Sequence, residues 1–207
     1  MIDWVSSLGV WGERVALNAD GATVSYAALQ ERVEEAQAQL RVLLQDMQAC
    51  ELPEQHQRPL VLLQIQNSLS GVIWYLACLN AEWPVIIVSP QMNVEGLKQL
   101  EVSFLPNLVI TDESVSCFHR KWHKLADELA LILLTSGSTG GGKGVALSYT
   151  NIEENTRSIC QYLPILKSDI TLATMPFSYS YGLSVLNTHL ASGACVAITG
   201  HTIMDKE

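Results

Sequence analysis

LALILLTSGSTGGGKGVALS, residues 129–148, is the stretch on which the fold turns. An apolar run over 129–134 leads straight into Thr135, Ser136, Gly137, Ser138, Thr139, Gly140, Gly141, Gly142, Lys143 and Gly144. The β-prone Val145-Ala146-Leu147-Ser148 follows. A flexible Gly/Ser linker has no reason to sit between two segments that must both be ordered. Glycines let successive backbone N–H groups turn toward one concave point, and such a nest binds anions. The hydroxyls add donors and Lys143 adds a full positive charge. Each hydrogen bond to a charged oxygen contributes about 1.5–3 kcal/mol. The stretch reads as a phosphate cradle between two strands.

Outward from it, β-prone and helical segments alternate. Strands are expected over 15–18 and 23–26, split by the turn-forming Asp20-Gly21. Ser25 is placed to cap a long helix whose Leu29, Val33, Ala36, Leu40, Leu43 and Met47 recur at three- and four-residue steps, the period of a buried stripe. Residues 50–59 are polar with two prolines and read as a loop. Further strands are expected over 60–66, 85–88, 108–111, 129–134, 145–148, 170–175 and 195–198. Helices are expected over 68–81, 94–104, 151–163 and 183–191. Apolar strands without polar alternation belong to a parallel sheet covered on both faces. The fold class is α/β, a layered sheet with helices on both faces. The last residues, HTIMDKE, follow an apolar strand with no stop signal, and are read as the mark of a chain cut short.

GSTGGGKG, residues 137–144, nearly matches the Walker A loop, GxxxxGK and then Ser or Thr. Gly144 stands where the Mg²⁺-binding hydroxyl belongs, and a β-prone segment follows where a Walker loop opens a helix. A P-loop NTPase or kinase is therefore kept as an alternative only.

The segment 133–152, LLTSGSTGGGKGVALSYTNI, resembles the phosphate-loop signature of the acyl-adenylate-forming superfamily, which includes acyl-CoA synthetases, peptide-synthetase adenylation domains and firefly luciferase. Gly142 stands where that family has Pro, which adds entropy to be lost on binding, and Tyr149 where His is common. TVSYAAL (23–29), the stretch 79–90 and MPFSYSYGL (175–183) resemble three further family segments in the same order. The resemblance implies the N-terminal part of an ATP-dependent ligase. In it a carboxylic acid becomes acyl-AMP and then passes to coenzyme A or a carrier protein. It implies that Thr135, Ser136, Gly137, Ser138, Thr139, Gly140, Lys143 and Gly144 hold the phosphates of Mg²⁺-loaded ATP. It also implies that Tyr179, Ser180, Tyr181 and Gly182 line the acyl pocket, with Tyr179 where many coenzyme A ligases carry His. Read without the resemblance, Tyr179 and Tyr181 are packing aromatics and Ser180 a helix cap. The family's Mg²⁺-binding Glu, its ribose-binding Asp and its C-terminal domain are not found. The chain is thus read as an incomplete AMP-binding domain over 1–207, divisible into lobes 1–128 and 129–207, with no complete catalytic set and no turnover on its own. A non-catalytic nucleotide-binding module is the remaining alternative.

Composition narrows the rest. Twelve basic against twenty-one acidic residues give a net charge of −9, without the clustered cations that nucleic acid requires. The five cysteines are scattered and form no CxxC pair, so neither a disulfide framework nor a zinc site is indicated. His119 and His123 have a chelating spacing for a helix, but Arg120 and Lys121 between them repel a cation, and no metal site is expected. The N-terminus lacks the marks of a signal peptide. Residues 69–88 approach the length of a bilayer span, but Asn80, Glu82 and Pro84 interrupt them. A cytoplasmic location without a membrane span is expected.

Overall fold

The computed structural model describes residues 2–19, 21–48, 57–112, 114–119, 122–135 and 143–199, with 45–48 as helical backbone alone. The chain opens with α1 (Asp3–Ser6), a 3-10 turn (Leu8–Trp11) and the hairpin β1 (Val15–Ala19) and β2 (Ala22–Ser25). α2 (Tyr26–Gln48) follows, and Ser25 Oγ accepts from the Ala28 N–H at 3.2 Å as the expected cap. Leu29, Val33, Ala36 and Leu40 are buried, but the next buried position is Leu44, with Leu43 half-buried. Steps of three and four both stay on one helix face, and here the stripe takes the longer one.

β3 (Gln57–Arg58), β4 (Val61–Gln64), α3 (Leu69–Asn80), β5 (Val85–Val88), α4 (Val94–Phe104), β6 (Leu108–Thr111), β7 (Val115–Cys117) and β8 (His123–Lys124) come next. They are followed by β9 (Leu129–Leu134), β10 (Gly144–Ser148), α5 (Tyr149–Tyr162), β11 (Ile170–Leu172), α6 (Ser180–Ala191) and β12 (Cys195–Ile198). Neither His119 nor His123 lies in a helix, which chelation at that spacing would have needed. His123 lies in β8, with its ring 6.3 Å from that of His119 and its Nε2 2.7 Å from the Leu105 carbonyl. Among the described residues no group of three or more His, Cys, Asp or Glu is placed to hold a metal, and no helix is long and apolar enough to cross a membrane.

The strands divide between two principal sheets. One runs β10-β9-β5-β4-β6-β7, parallel from β9 to β6 with an antiparallel strand at each edge. The other runs β11-β12-β1-β2, parallel except for β2. Each sheet takes strands from both sides of the 128/129 position. In the six-stranded sheet, side-chain parity explains the helices on both faces. Val61, Leu63, Val85, Ile87, Leu131 and Leu133 face the larger core, shared with Val72 and Leu76 of α3 and Leu183 and Leu186 of α6. Leu62, Ile86, Val88 and Ile132 point the opposite way, onto Leu100 and Phe104 of α4. Period-two alternation sends neighbouring residues to opposite faces, so a strand apolar throughout needs cover on both. The larger core extends to Leu17 and Val196 of the second sheet.

Candidate active site

β9 and β10 form an antiparallel hairpin, with Leu134 opposite Gly144 and Leu131 opposite Leu147. Its open end is tied at the base of the glycine-rich stretch. The Thr135 N–H donates to the Lys143 carbonyl at 2.9 Å, and Thr135 Oγ1 donates to the same oxygen at 3.2 Å. Thr135 and Lys143 are both exposed there. Residues 136–142, including Ser136, Gly137, Ser138, Thr139 and Gly140 among the expected phosphate contacts, lie outside the described residues. Gly144 has a packing reason of its own. A Cβ there would sit 2.7 Å from Ile132 Cγ2 and 3.4 Å from Phe104 Cζ.

Lys143 leads into a strand. α5 starts only at Tyr149, and its N-terminus is closed by its own residues: Ser148 Oγ accepts from the Asn151 N–H and Asn151 Oδ1 from the Ser148 N–H, both at 3.0 Å. This reciprocal cap takes up two of the backbone N–H groups, those of Ser148 and Asn151, that a Walker-type helix start would offer to phosphate. It also starts the helix two residues before the expected 151. Tyr149 is buried against Arg58, whose guanidinium lies 3.4 Å from the phenol oxygen. Burial pushes that phenol well above its ordinary pKa, and Arg58 partly offsets the rise. Arg58 also donates to the carbonyls of Glu82, Ala126 and Leu129. It therefore fastens the start of β9 to the turn before β5.

The second expected cluster is fixed by a residue that the sequence reading did not single out. Asn67, between β4 and α3, donates from Nδ2 to the carbonyls of Ala173 (3.0 Å) and Met175 (2.8 Å) and accepts the Phe177 N–H on Oδ1 (2.9 Å). The Ala173 N–H still donates to the Ala197 carbonyl of β12 at 2.8 Å, and beyond it Asn67 holds the chain through Phe177 away from the sheet, so β11 stops short of the expected 175. Asp112, just after β6, steadies Asn67 from both sides. It accepts the Gln66 N–H at 3.0 Å and the Ser68 hydroxyl at 2.5 Å. Asn67 and Asp112 follow the carboxyl ends of two adjacent parallel strands, where open α/β sheets place their ligands. The sequence signal for Asn67 was a polar Asn-Ser pair between an apolar strand and a helix, which reads simply as a cap.

From there the chain turns into α6, with the Tyr179 N–H bonded to the Pro176 carbonyl at 3.0 Å. Tyr179 is the N-cap residue by backbone and makes no side-chain cap bond; Ser180 opens the helix and does not cap it. The helix begins three residues before the expected 183 because Gly182 lets it start against the turn. A Cβ at Gly182 would lie 2.4 Å from the Pro176 oxygen and 2.7 Å from the Met175 oxygen. Tyr179 and Tyr181 are 54% and 66% exposed, so neither is a packing aromatic here. Phe177 takes the buried role instead. A cavity of about 380 Å³ separates the β9–β10 hairpin from α5 and α6, and Ser180 is part of its lining.

Residues 119–207 match the family described as AMP-binding enzyme. Among curated proteins, the chain is similar to the nonribosomal peptide synthetase notE' of Aspergillus versicolor, 31% identical over 124 residues, which are 56% of this chain and 5% of that protein. It is also similar to the 2-succinylbenzoate–CoA ligase of Geobacillus sp. (strain WCH70), 33% identical over 94 residues, 45% of this chain and 18% of that ligase. Among solved structures, the N-terminal subdomain of Klebsiella oxytoca NpsA in complex with 3-hydroxyanthranilyl-AMSN superposes with a TM-score of 0.77 at 22% identity, over 99% of this chain and 54% of that one. The last match is one of fold. The chain spans about half the NpsA subdomain and far less of either curated relative.

Proposed function

We propose that this chain, which belongs to the AMP-binding, adenylate-forming superfamily, supplies the phosphate grip and the acyl-site segment of an ATP-dependent carboxylate-activating ligase. In the reaction, a carboxylate oxygen bonds to the α-phosphorus of ATP and the bond from that phosphorus to the β-bridging oxygen breaks. Acyl-AMP forms and Mg²⁺-bound pyrophosphate leaves. The thiol of coenzyme A or of a carrier protein then takes the acyl group and releases AMP.

The observation that carries this reading is the hairpin: a glycine- and hydroxyl-rich connection between antiparallel strands, with Thr135 and Lys143 joined at its base and exposed at its open end. In the proposed roles, Ser136, Ser138, Thr139 and the amides of Gly137, Gly140 and Gly144 donate to the β- and γ-phosphates, the Thr135 hydroxyl turns from the Lys143 carbonyl to join them, and Lys143 neutralises charge that grows on the departing pyrophosphate. Tyr179, Ser180 and Tyr181 border the carboxylate, and Gly182 sets their position by admitting the turn. Lys143 and Thr135 are both exposed, which suits contact with a polyanion. A P-loop NTPase is disfavoured by the strand after Lys143 and by the self-capped α5.

The test is a calorimetric titration of Mg·ATP into the chain and into its Lys143→Ala variant. Saturable binding is expected, weakened roughly 10- to 150-fold in the variant from the loss of one charged hydrogen bond. Equal binding by both proteins removes Lys143 from the site, and release of orthophosphate from ATP favours the NTPase. ATP–pyrophosphate exchange with a panel of carboxylic acids is expected to show no turnover by these 207 residues alone.

A further inference from the structure

We propose that the cavity between the β9–β10 hairpin, α5 and α6 seats the body of the carboxylic acid and selects a monocarboxylate whose body is uncharged and bears a hydroxyl, against amino acids and dicarboxylic acids. This deepens the adenylate-forming reading and rests on it. The floor is one face of the hairpin: Leu131 and Leu133 are two residues apart on β9, and Leu147 pairs with Leu131. The walls come from α5 and α6, and among the described residues that line it none has an ionisable side chain. An ammonium or a second carboxylate inside would lose its hydration with no opposite charge among the described lining residues to offset it. The size, about 380 Å³, lies within the range of small-molecule sites.

The polar feature at depth is Asn187. It is 5% exposed, its Nδ2 donates to the Tyr75 hydroxyl at 3.2 Å, and its Oδ1 is buried without a hydrogen-bond partner among the described residues. A buried acceptor left unpaired is costly, and a ligand donor relieves that cost. A hydroxyl fits best, since it serves whichever way round the amide is turned.

The other end of the cavity meets the proposed chemistry. Leu133 is two residues before Thr135 and Ser180 is next to Tyr179, so the lining reaches both clusters. The Tyr179 side chain does not cap the start of α6, and among the described residues its first-turn N–H groups and positive dipole end are left for the carboxylate. Asn187 lies two helical turns further on, about 10 Å along the axis. Across the walls, Ser184 Oγ donates to Asn155 Oδ1 at 3.0 Å and fixes the spacing of the two helices.

The experiment titrates 3-hydroxybenzoate, benzoate, alanine and aspartate into the Mg·ATP-loaded chain, followed by NMR shifts. It uses the wild type, Asn187→Leu and Ser184→Phe, each checked for folding by its thermal transition. The hydroxy acid is expected to bind more tightly than benzoate, and alanine and aspartate are expected not to bind. Asn187→Leu is expected to weaken the hydroxy acid roughly tenfold and leave benzoate unchanged. Ser184→Phe, which fills the space, is expected to abolish both while Mg·ATP still binds. Should Asn187→Leu fail to fold, the Ser184→Phe arm decides alone. Hydroxy-acid binding that survives Ser184→Phe, binding of either amino acid as tight as that of the hydroxy acid, or no acid binding by folded wild type overturns the proposal. Failure of Mg·ATP itself to bind would count against the phosphate-loop reading instead.

Discussion

Asn67 does with one amide what a strand does with many. Its three bonds hold the backbone of residues 173–177 on the turn that delivers Tyr179, as the chain leaves the sheet after Ala173. Replacing it with Ala leaves two carbonyls and one N–H to find new partners. Asn67→Ala is expected to cost about 1–3 kcal/mol in a denaturant titration. If the phosphate grip is separate, it should leave Mg·ATP affinity unchanged. Gly182 acts by omission, since any side chain must push the Met175–Pro176 backbone away from α6. Gly182→Ala is expected to lose about 1–3 kcal/mol by overpacking, read as a lower melting temperature. Substitution at the exposed Tyr181 should leave stability within about 0.5 kcal/mol of wild type.

The β9–β10 hairpin and its sequel show how far local sequence reaches. Elements buried on both faces were legible almost residue for residue, as in Val85–Val88, Leu129–Leu134 and Cys195–Ile198, because an unbroken apolar run admits few other structures. The capping box at Ser148 was equally local, yet the expected helix began at 151, because the hydroxyl was read as the end of a strand. Ser148→Ala is expected to cost about 0.5–2 kcal/mol, measurable as a lower denaturation midpoint. The two-residue strands β3 and β8 were not legible. β3 exists because Gln57 meets Lys124 and Arg58 meets His123, partners too distant in sequence for any window to pair. Asn67 escaped notice for the same reason, since its partners lie more than a hundred residues away. Of the glycine-rich stretch, composition supplied the chemistry, while the pairing of Thr135 with Lys143 came from the structure.

At the scale of the whole molecule, the shared core sets how the protein answers to pH and to thiol reagents. Burial pushes the Cys78 thiol up to about 12, from an ordinary value of 9.0. The folded state therefore holds this proton where the unfolded chain releases it. That contribution to stability is fully present below pH 9 and is lost as pH rises toward about 12. Tyr26, Tyr75 and Tyr149 are raised by burial too and act in the same direction. Denaturant midpoints are expected to hold up to about pH 9 and to fall above it. Iodoacetamide at pH 8 is expected to label the exposed Cys117 quickly and Cys78 only on unfolding, as read by peptide mass mapping.

The pairing of Leu17 with Val196 has a consequence for how the protein is made. On the ribosome, β1 emerges early and its parallel neighbour β12 arrives after nearly all the intervening chain. At about 5–20 residues per second the wait is roughly 10–40 s. During synthesis the side of β1 that will receive β12 is bare, and a chaperone has that interval in which to shield it. Moving Val15–Ala19 and Ala22–Ser25 behind β12 by circular permutation would remove the delay.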